Sequence, residues 1–496
     1  RVGVFVIRPL MSVQYFLQGK LLGIESFLLS GVHGSDVEAG ASPLPGRSRW
    51  VTLLTEVLPR ALLAELGLAR ILLGSSGGGQ FLVVLPLEVR QQAEEFLATA
   101  NAQIQQMSGG ELKLAWAGTE NLGDWSDVRK RITEAMSRER GTPAAGASSL
   151  FEPFDPPAPV ASDGYFSQEM FVNLRDAGTV GWSQENPGRI EIGSGKHQWT
   201  IGSGPDSIPV ARHTALDDEG RLPASLETLA MRAEGRHVWG VLRGDVDNFG
   251  IRLRRAQTIE EHIQLSVVYK QFFAGELEVL CSLPEFWRKV TVLYSGGDDF
   301  AVYGSWDSLI LLAREIQRLF HRLSEEALKE YPGPEGKTIS MALALAPSAE
   351  ATLASVYDDA GRMLKIAKST ARDSFHLFGQ TLEWKGVGDA AGIKDTMTKM
   401  IKEFGCPRQF LSEIGSFYRE GTLSGPKSGR GKGERFERPW RFHRRLSRVL
   451  GPTRERELLK LRSELTSEFL GRNPAQGRLR PAGRVALEWA SLLTEA

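Results

Sequence analysis

Apolar runs and helix-spaced segments alternate along the first part of the chain. Residues 61–86 combine helical spacing with two short apolar runs on either side of the turn SSGGG, and residues 92–107 again have helical spacing. The apolar run ELKLAWA follows at residues 111–117. Periodicity of this kind is the main sequence signal of secondary structure. It predicts helix, strand, turn, strand, helix and strand within residues 1–140.

A second alternating block begins at HVWGVLRGDVDNFG (residues 237–250) and ends near TLEW. Before it, residues 141–162 are rich in Pro, Ala, Gly and Ser, which indicates a linker, and the Gly-rich stretch up to residue 225 predicts a small β-rich insert. The last part has helical spacing with a break at SGPKSGRGKGER (424–435), which no hydrophobic core would accept. The predicted class is α+β, and the chain divides into four segments: 1–140, 141–225, 226–385 and 386–496.

The segment VTVLYSGGDDFAVYG, residues 290–304, has the pattern of a β-hairpin. The apolar residues on both sides predict two strands, and Gly296 and Gly297 permit a tight turn between them. Asp298 and Asp299 would then lie at the tip. Two adjacent carboxylates repel each other, and burial disfavours their charged forms, so a buried pair needs a cation or a proton to offset it. The alternative is an ordinary solvated loop.

A second pair of aspartates occurs in GVLRGDVDNFG. Asp245 and Asp247 directly follow a predicted apolar strand, Val238 to Leu242, and Asn248 and Gly250 turn the chain into the next segment. In an antiparallel sheet this strand end can lie beside the glycine hairpin, which would bring three or four carboxylates together. Such oxygen ligands suit Mg²⁺ or Mn²⁺ bridged by substrate phosphates. Two such ions about 4 Å apart stabilise the attacking and leaving oxygens of a phosphoryl displacement, so the pattern favours nucleotidyl transfer. Aspartates that only cap a loop are the alternative.

The two blocks share a Ser-Gly-Gly hairpin. SSGGGQFLVVLP (75–86) and YSGGDDFAVYG (294–304) are both flanked by apolar strands, which indicates an internal duplication rather than two unrelated hairpins. In the first copy Gly79 and Gln80 replace the carboxylates, so this turn cannot bind a metal ion. Its glycines still leave backbone N–H groups available to a phosphate.

Residues 354–379 predict a helix followed by a final strand, and the helix carries Lys365 and Lys368 three positions apart, hence on one face. A lysine there can contact a triphosphate as a point charge. A solvated lysine face is the alternative.

Composition narrows the class of protein. The chain has 42% hydrophobic and 24% charged residues, and 60 Lys and Arg balance 60 Asp and Glu. Residues 386–496 hold 22 Lys and Arg against 13 Asp and Glu, so the C-terminal end is basic. No apolar run reaches the length of about 18 residues that a membrane span needs, and the first residues lack the plan of a signal peptide. We therefore expect a soluble cytoplasmic protein without a membrane partner, although residue 1 is not Met and the natural N-terminus could lie further upstream.

The cysteines and histidines give no ligand spacing. Cys281 and Cys406 are far apart and no CxxC occurs, so neither a disulfide framework nor a cysteine zinc site is supported. His33, His197 and His213 are scattered and are interpreted as structural, and Cys281 as an apolar helix residue.

The order DVDNFG, SGGDDF, ISMALA and LKIAKSTARDSFHLFG resembles a known family, the "Cas ten" polymerase/cyclase large subunit of type III CRISPR effector complexes in its Csm-like form, a relative of GGDEF diguanylate cyclases. SVQYFLQG (12–19) resembles the opening of the family's first Palm domain, and IPVARHTALDDEGRLPASLETLA (208–230) resembles the lead-in to its second. The resemblance implies two ferredoxin-like Palm domains, a small domain between them and a C-terminal helical bundle. It also implies synthesis of cyclic oligoadenylates from ATP when target RNA is bound, with guide RNA and the backbone, guide-end-capping and small subunits as partners.

The resemblance also implies roles for individual residues. By match of motif, the catalytic residues are Asp245, Asp298 and Asp299. The metal ligands are these three and Asp247. The residues implied to bind nucleotides are Ser295, Gly296, Gly297, Asn248, Lys365, Lys368, Gly77, Gly78 and Gly79. No general base is evident, so positioning and electrostatics are expected to carry the catalysis.

The chain departs from the family pattern in two respects. It contains no His-Asp dipeptide, so we expect no HD nuclease, and it lacks the four-cysteine zinc site, so the insert must fold without metal. Two other functions stay open. One is a non-catalytic RNA-binding scaffold, for which the Arg- and aromatic-rich residues 427–448 suit phosphate contact and base stacking. The other is a stand-alone GGDEF-type dinucleotide cyclase.

Overall fold

The computed structural model describes most of the chain. The described residues are 13–30, 43–140, 164–202, 204, 206–423, 439–470 and 480–495. Among them, no helix is both long and apolar enough to cross a membrane.

The first sheet has four antiparallel strands. They are β1 (Gln14–Leu22), β2 (Leu73–Gly77), β3 (Gln80–Pro86) and β4 (Lys113–Glu120), in the order β2-β3-β1-β4. The α-helices are α1 (Ile24–Leu29), α2 (Leu44–Glu65), α3 (Arg90–Met107) and α4 (Trp125–Arg140), and single 3₁₀ turns span Arg70–Leu72 and Leu87–Val89. Alternate residues of β1 enter different cores: Leu17 packs with α2 and α3, whereas Phe16 packs with Trp125 of α4. The order of elements predicted for residues 61–117 is confirmed.

The insert combines a helix with three short strands. A π-helix (Tyr165–Asn173) ends in one α-helical turn, α5 (Leu174–Asp176), and β5 (Thr179–Trp182), β6 (Glu191–Ile192) and β7 (His197–Thr200) form a sheet in the order β6-β5-β7. Phe166 lies against Trp50 of α2 with ring centroids 5.1 Å apart, and the Trp182 indole donates to the carbonyl of Pro187 at 2.9 Å. Aromatic packing against α2 therefore stabilises this segment.

The second sheet has six strands. They are β8 (Trp239–Val246), β9 (Val290–Ser295), β10 (Asp299–Ser305), β11 (Ile339–Leu345), β12 (Ser374–Leu377) and β13 (Gln380–Glu383), in the order β13-β12-β11-β8-β10-β9, with only β11 and β12 parallel. Its helices are α6 (Leu226–Met231), α7 (Phe249–Arg255), α8 (Ile259–Lys270), a π-helix (Gln271–Glu276), α9 (Leu277–Cys281), α10 (Trp306–Glu326) and α11 (Leu353–Thr370). Strand β13 was not predicted.

Four strands of each sheet share one arrangement. The order β2-β3-β1-β4 of the first sheet matches β9-β10-β8-β11 of the second, and in both the chain passes through strand, helix, two strands, helix and strand. The mixed helix-and-sheet class is confirmed. The shared order favours the internal duplication over two unrelated hairpins.

The C-terminal segment is helical. Its helices are α12 (Trp384–Lys402), α13 (Gln409–Leu423), α14 (Pro439–Leu450), α15 (Arg456–Leu470) and α16 (Pro481–Thr494). They share one apolar core with the α10 side of the second sheet, while a second core joins the first sheet, the insert and the α11 side. The cores thus cross the segment boundaries. The break predicted at 424–435 and the basic residues 427–438 lie outside the described residues.

Candidate active site

The glycine hairpin of the second sheet is formed by β9 and β10. Strand β10 begins at Asp299, so only Gly296, Gly297 and Asp298 lie between the strands. The amide of Gly296 donates to the carbonyl of Asp299 at 2.7 Å, and a Cβ at position 296 would overlap the Asp299 carboxylate. The hairpin is confirmed, but Asp299 belongs to the strand and not to the tip. Pairing with β8 draws it into the sheet.

Asp245 lies directly opposite Asp299. The antiparallel register of β8 and β10 pairs these two residues, and the amide of Val246 donates to the carbonyl of Asp298 at 2.9 Å. The strand predicted to end at Leu242 was too short, since β8 continues to Val246. Asp245 is therefore a strand residue. The structure thus brings together three carboxylates from two distant parts of the sequence.

The pKa values of all three carboxyl groups are raised above those of ordinary aspartates. Burial, followed by the charges of Asp299 and Asp245, raises the pKa of Asp298 well above its ordinary value. Burial and the Asp245 charge raise the pKa of Asp299 to about 6. Burial also raises the pKa of Asp245, although Lys368 opposes the shift. A bound cation would favour the charged form of all three groups.

Lys368 supplies one cation. Its ammonium group forms an ion pair with Asp245, in which both side chains are about one-third exposed, and lies 3.5 Å from the carbonyl oxygen of Val246. Among the described residues, no three His, Cys, Asp or Glu side chains are already arranged as a metal cluster. The donor chemistry nevertheless fits a hard divalent cation, because carboxylate and carbonyl oxygens converge where an ammonium group now lies. A metal ion that bound Asp245 would compete with Lys368.

Asp247 has a different environment. Its side chain is 1% exposed, and it accepts hydrogen bonds from the hydroxyls of Thr338 and Ser340, both at 2.8 Å, and from the amide of Asp373 at 2.9 Å. Both carboxylate oxygens are thus engaged within the protein. Asp247 connects the end of β8 to β11 and to the turn before β12, and its role as a metal ligand stays a prediction.

Three residues next to the carboxylates were missed from the sequence. The Tyr294 hydroxyl donates to Asp299 Oδ2 at 2.9 Å, and the Arg243 guanidinium lies 4.2 Å from the ring centroid of Tyr357. The charge of Arg243 also lowers the pKa of Asp299, against the larger effect of burial. A signal for Arg243 was available, because side chains two positions apart on a strand share a face, and Asp245 lies two positions further on.

The two glycine turns lie against each other. Gly77, Gly78 and Gly79 all have positive φ, and a Cβ added at Gly78 would lie 3.3 Å from the amide nitrogen of Gly297. Around Gly297 itself, no atom from the part of the chain that the structure describes lies within 4 Å of an added Cβ. The glycines predicted to contact nucleotides therefore occupy one junction between the two sheets.

The remaining nucleotide-binding candidates are more dispersed. Ser295 is buried and donates its hydroxyl hydrogen to the carbonyl of Phe273 at 2.6 Å. Lys365 is exposed on α11, one turn before Lys368. Asn248 has φ 59° and starts α7 without a side-chain capping bond. The structure places only Lys368 of this group on a carboxylate of the site.

The histidines and Cys281 lie elsewhere. His197 Nε2 lies 2.7 Å from Glu65 Oε1, and His213 Nε2 lies 3.0 Å from a backbone carbonyl oxygen. Cys281 is fully buried at the end of α9. His33 lies outside the described residues.

Two sheets that repeat one strand order, with carboxylates converging beside a glycine turn in the second, define a duplicated mixed helix-and-sheet class of protein. Family models agree. The model of the Cas10/Cmr2 second palm domain matches residues 238–376, and that of Csm1 subunit domain B matches residues 13–140, together 267 of 496 residues. The chain belongs to the Cas10/Csm1 family, the large subunits of type III CRISPR systems, which confirms the resemblance drawn from the motifs.

Two curated relatives are similar over part of the chain. Both are described as the single-strand-specific deoxyribonuclease Cas10/Csm1 of subtype III-A. The protein from Thermococcus onnurineus is 29% identical over 126 residues, which are 23% of this chain and 16% of the relative. The protein from Mycobacterium tuberculosis is 30% identical over 116 residues, or 20% of this chain and 14% of the relative. The match spans less than a fifth of either relative.

Solved structures show the same fold over nearly the whole chain. A chain of the apo Csm1–Csm4 cassette has a TM-score of 0.73 and 18% identity, covering 97% of this chain and 70% of its own length. The same cassette in complex with cA4 has a TM-score of 0.70, 18% identity and the same coverages. The cassette with one ATP bound also has a TM-score of 0.70 and 18% identity, and the match covers 97% of this chain and 70% of that chain. At this identity the comparison establishes the fold alone.

Proposed function

We propose that this chain is the large subunit of a type III RNA-guided effector complex and synthesises cyclic oligoadenylates from ATP by two-metal nucleotidyl transfer. The observation that carries the proposal is the register that sets Asp245 opposite Asp299, beside Asp298 and the glycine turn. Carboxylates whose pKa values are raised by burial and by one another form a site that a divalent cation stabilises.

The substrate class is supported by the related structures. The Csm1–Csm4 cassette has been crystallised with cA4, with pppApA and with ATP, and its fold matches that of this chain. A second glycine turn against the first provides backbone N–H groups for another nucleotide. We therefore assign one ATP to each turn, with Gly77, Gly78 and Gly79 on one side and Gly296 and Gly297 on the other.

The residues divide the chemical tasks. Asp245, Asp298 and Asp299 would hold Mg²⁺ or Mn²⁺, and these ions, when bound, polarise the α-phosphate and neutralise the pyrophosphate leaving group. Lys368 lies at Asp245 and would be available to a triphosphate if the carboxylates held a metal ion, and exposed Lys365 could contact it from the same helix. Asp247 holds the end of β8 in register with β11, which fixes the direction of Asp245. Positioning and charge stabilisation supply the catalysis.

The two sheets support a division of the chain into domains. We assign residues 1–140 and 226–385 to two ferredoxin-like Palm domains, 141–225 to a small insert domain and 386–496 to a C-terminal helical domain. Guide and target RNA and the other subunits of the complex are the proposed partners, and the cytoplasm the proposed location. No HD nuclease is proposed, because no His-Asp dipeptide occurs in the 496 residues.

A non-catalytic RNA-binding scaffold is the second candidate. Its support is the basic helix α14, on which Arg444 and Arg448 are exposed. Exposed arginines at helical spacing can contact the phosphates of a duplex. Both roles can coexist in one chain. A stand-alone dinucleotide cyclase is disfavoured, since the first sheet repeats the fold without the carboxylates.

The decisive experiment compares two double variants in the assembled complex. Asp298→Ala with Asp299→Ala removes two of the three site carboxylates. The matched control, Asp217→Ala with Asp218→Ala, removes an adjacent pair in which Asp218 is 77% exposed and paired with Arg232. Products formed from ATP, with and without target RNA, are separated by chromatography, and GTP serves as the alternative substrate.

We expect the site variant to lose oligoadenylate formation and to keep assembly and RNA binding, whereas the control retains all three. Removal of divalent cations with a chelator should abolish synthesis in the wild type. Oligoadenylates made by the site variant would refute the site assignment. A wild type that binds RNA but forms no product would leave the scaffold function, and a product made from GTP would indicate a dinucleotide cyclase.

A further inference from the structure

A buried ionic cluster lies at the junction of the two sheets. Lys270, the last residue of α8, places its Nζ 2.6 Å from Glu56 Oε2 on α2 and 3.0 Å from the hydroxyl of Ser76 on β2. Ser76 in turn donates to Glu56 Oε2 at 2.9 Å, and Arg60 Nη1 lies 2.8 Å from the same oxygen. A residue of the second sheet's helices is therefore bonded directly to the strand that leads into the first glycine turn.

The cluster is well shielded from solvent. The side chains of Glu56, Arg60 and Lys270 are 2%, 4% and 14% exposed. Burial alone would raise the pKa of Glu56, but the charges of Lys270 and Arg60 outweigh it and lower that pKa. A buried ion pair of this kind stabilises a protein weakly, if at all, while removal of one partner is strongly destabilising. Its main consequence is a fixed geometry.

The same segment also contacts the second turn. The π-helix that begins directly after Lys270 contains Phe273, whose carbonyl accepts the hydroxyl hydrogen of Ser295 at 2.6 Å. Ser295 precedes the turn at Gly296, as Ser76 precedes the turn at Gly77. Residues 270–273 are thus bonded to the serine of each Ser-Gly-Gly turn, by a side chain in one case and by the backbone in the other.

The first turn has little space for an added side chain at Gly77 or Gly78. The amide of Gly297 would lie 3.3 Å from a Cβ on Gly78, and Glu56 Oε1 would lie 3.4 Å from a Cβ on Gly77. The cluster therefore lies directly behind the first turn, and the second turn lies in front of it. A displacement of Ser76 would alter the distance between the two turns.

We propose that Lys270 is a positioning residue that fixes the first glycine turn relative to the second, and so aligns the two nucleotides for condensation. It acts through Ser76 and Glu56 and contacts no substrate. The inference rests on the proposed function, because it assigns one ATP to each turn. Its loss should leave each turn able to bind ATP while misaligning the pair, so kcat should fall more than KM rises.

The test uses Lys270→Met in the RNA-activated complex. We expect kcat for oligoadenylate formation to fall by roughly tenfold or more, with KM changed less than about threefold. Lys270→Arg, which keeps the charge and donors, should restore most of the activity. Adding Ser76→Ala to Lys270→Met should cost little more, because both changes remove the same link. If Lys270→Met and Ser76→Ala lower kcat by equal factors, and the two factors multiply in the double variant, the proposal is overturned.

The matched control is Lys289→Met. Lys289 forms a comparable lysine–carboxylate pair with Asp307 at the start of α10, and the two side chains are 29% and 8% exposed. If both methionine variants lose the same fraction of kcat, Lys270 is only structural and the proposal fails. Amide hydrogen exchange over residues 75–80 gives a second measurement, which should accelerate in Lys270→Met and not in Lys289→Met.

The two proposals fail in different ways. A wild-type complex without product contradicts the proposed function, and hydrogen exchange then still decides whether Lys270 fixes the turn. A productive wild type with an unaffected Lys270→Met variant contradicts the positioning role alone. If Lys270→Met does not fold, Lys270→Arg and Ser76→Ala carry the comparison, and wild-type kcat in Ser76→Ala would then overturn the inference.

Discussion

The contact between the two glycine turns makes Gly78→Ala an informative substitution. Gly78 has φ +59°, where an L side chain is strained, and its new Cβ would lie 3.3 Å from the amide nitrogen of Gly297. A left-handed backbone costs a non-glycine residue about 1–2 kcal/mol. At 3.3 Å the neighbouring turn must also move by a few tenths of an ångström. The substitution thus combines a local strain with a small separation of the turns.

The two effects can be separated by a matched control. Gly67, just after α2, has φ +64°, and no atom of the described residues lies within 4 Å of an added Cβ, so Gly67→Ala carries the same backbone strain without the contact. Both variants should lower the free energy of unfolding by about 1–2 kcal/mol. Because a misplacement of about 1 Å can cost about 100-fold in rate, a few tenths should cost Gly78→Ala roughly four- to tenfold in kcat.

The assay is oligoadenylate formation from ATP by the RNA-activated complex, together with urea unfolding of each variant. We expect Gly67→Ala to have the kcat of the wild type. We expect it to lose as much stability as Gly78→Ala. If Gly78→Ala keeps a kcat within about twofold of Gly67→Ala, the close approach of the turns has no bearing on catalysis, and the assignment of one nucleotide to each turn is wrong.

Two further predictions concern pH. Because folding raises the pKa of Asp299 from 3.8 to about 6, the folded state binds more protons than the unfolded state between these values, and the unfolding free energy of the metal-free protein should fall as pH rises through that window. Asp298 and Asp245, whose pKa values are also raised, contribute to the same fall, so Asp299→Asn should reduce it in urea titrations with chelator, and an unchanged slope would contradict the shift. Burial lowers the pKa of His262, packed on Trp125, to about 4, so the unfolded state takes up the extra proton and stability should fall as pH drops from about 6.5 to about 4. His262→Phe should reduce this acid-side loss, measured by circular dichroism, and a variant as acid-sensitive as the wild type would disprove it.

The order of elements could be predicted because it depends on local pattern. Strand β9, the glycine turn and β10 follow from the apolar residues around SGGDDF, and helix α11 from its amphipathic spacing. Strand ends were less accurate, since β8 continues four residues beyond the predicted end. That extension depends on pairing with β10 and β11, and no local signal contains it. The short strand β13 was missed for the same reason.

The candidate site was predictable in its residue types and not in its contacts. The motifs predicted Asp245, Asp298 and Asp299 as catalytic residues and Asp247 as a metal ligand only, but they gave no sign that the Asp247 carboxylate is directed into hydrogen bonds with β11. The stacking of Arg243 on a tyrosine of α11 could not be predicted, because the partner lies more than 100 positions away in the chain.

By itself the sequence determined the two repeated blocks, the carboxylates beside a glycine turn and the family, because short-range pattern and motif are properties of neighbouring residues. The tertiary structure decided which side chains meet. It set Asp245 opposite Asp299, brought Gly78 against Gly297, and bonded Lys270 to a serine almost 200 positions away. Such contacts are fixed by strand register and by the packing of one sheet's helices on the other, and both depend on the whole chain being folded.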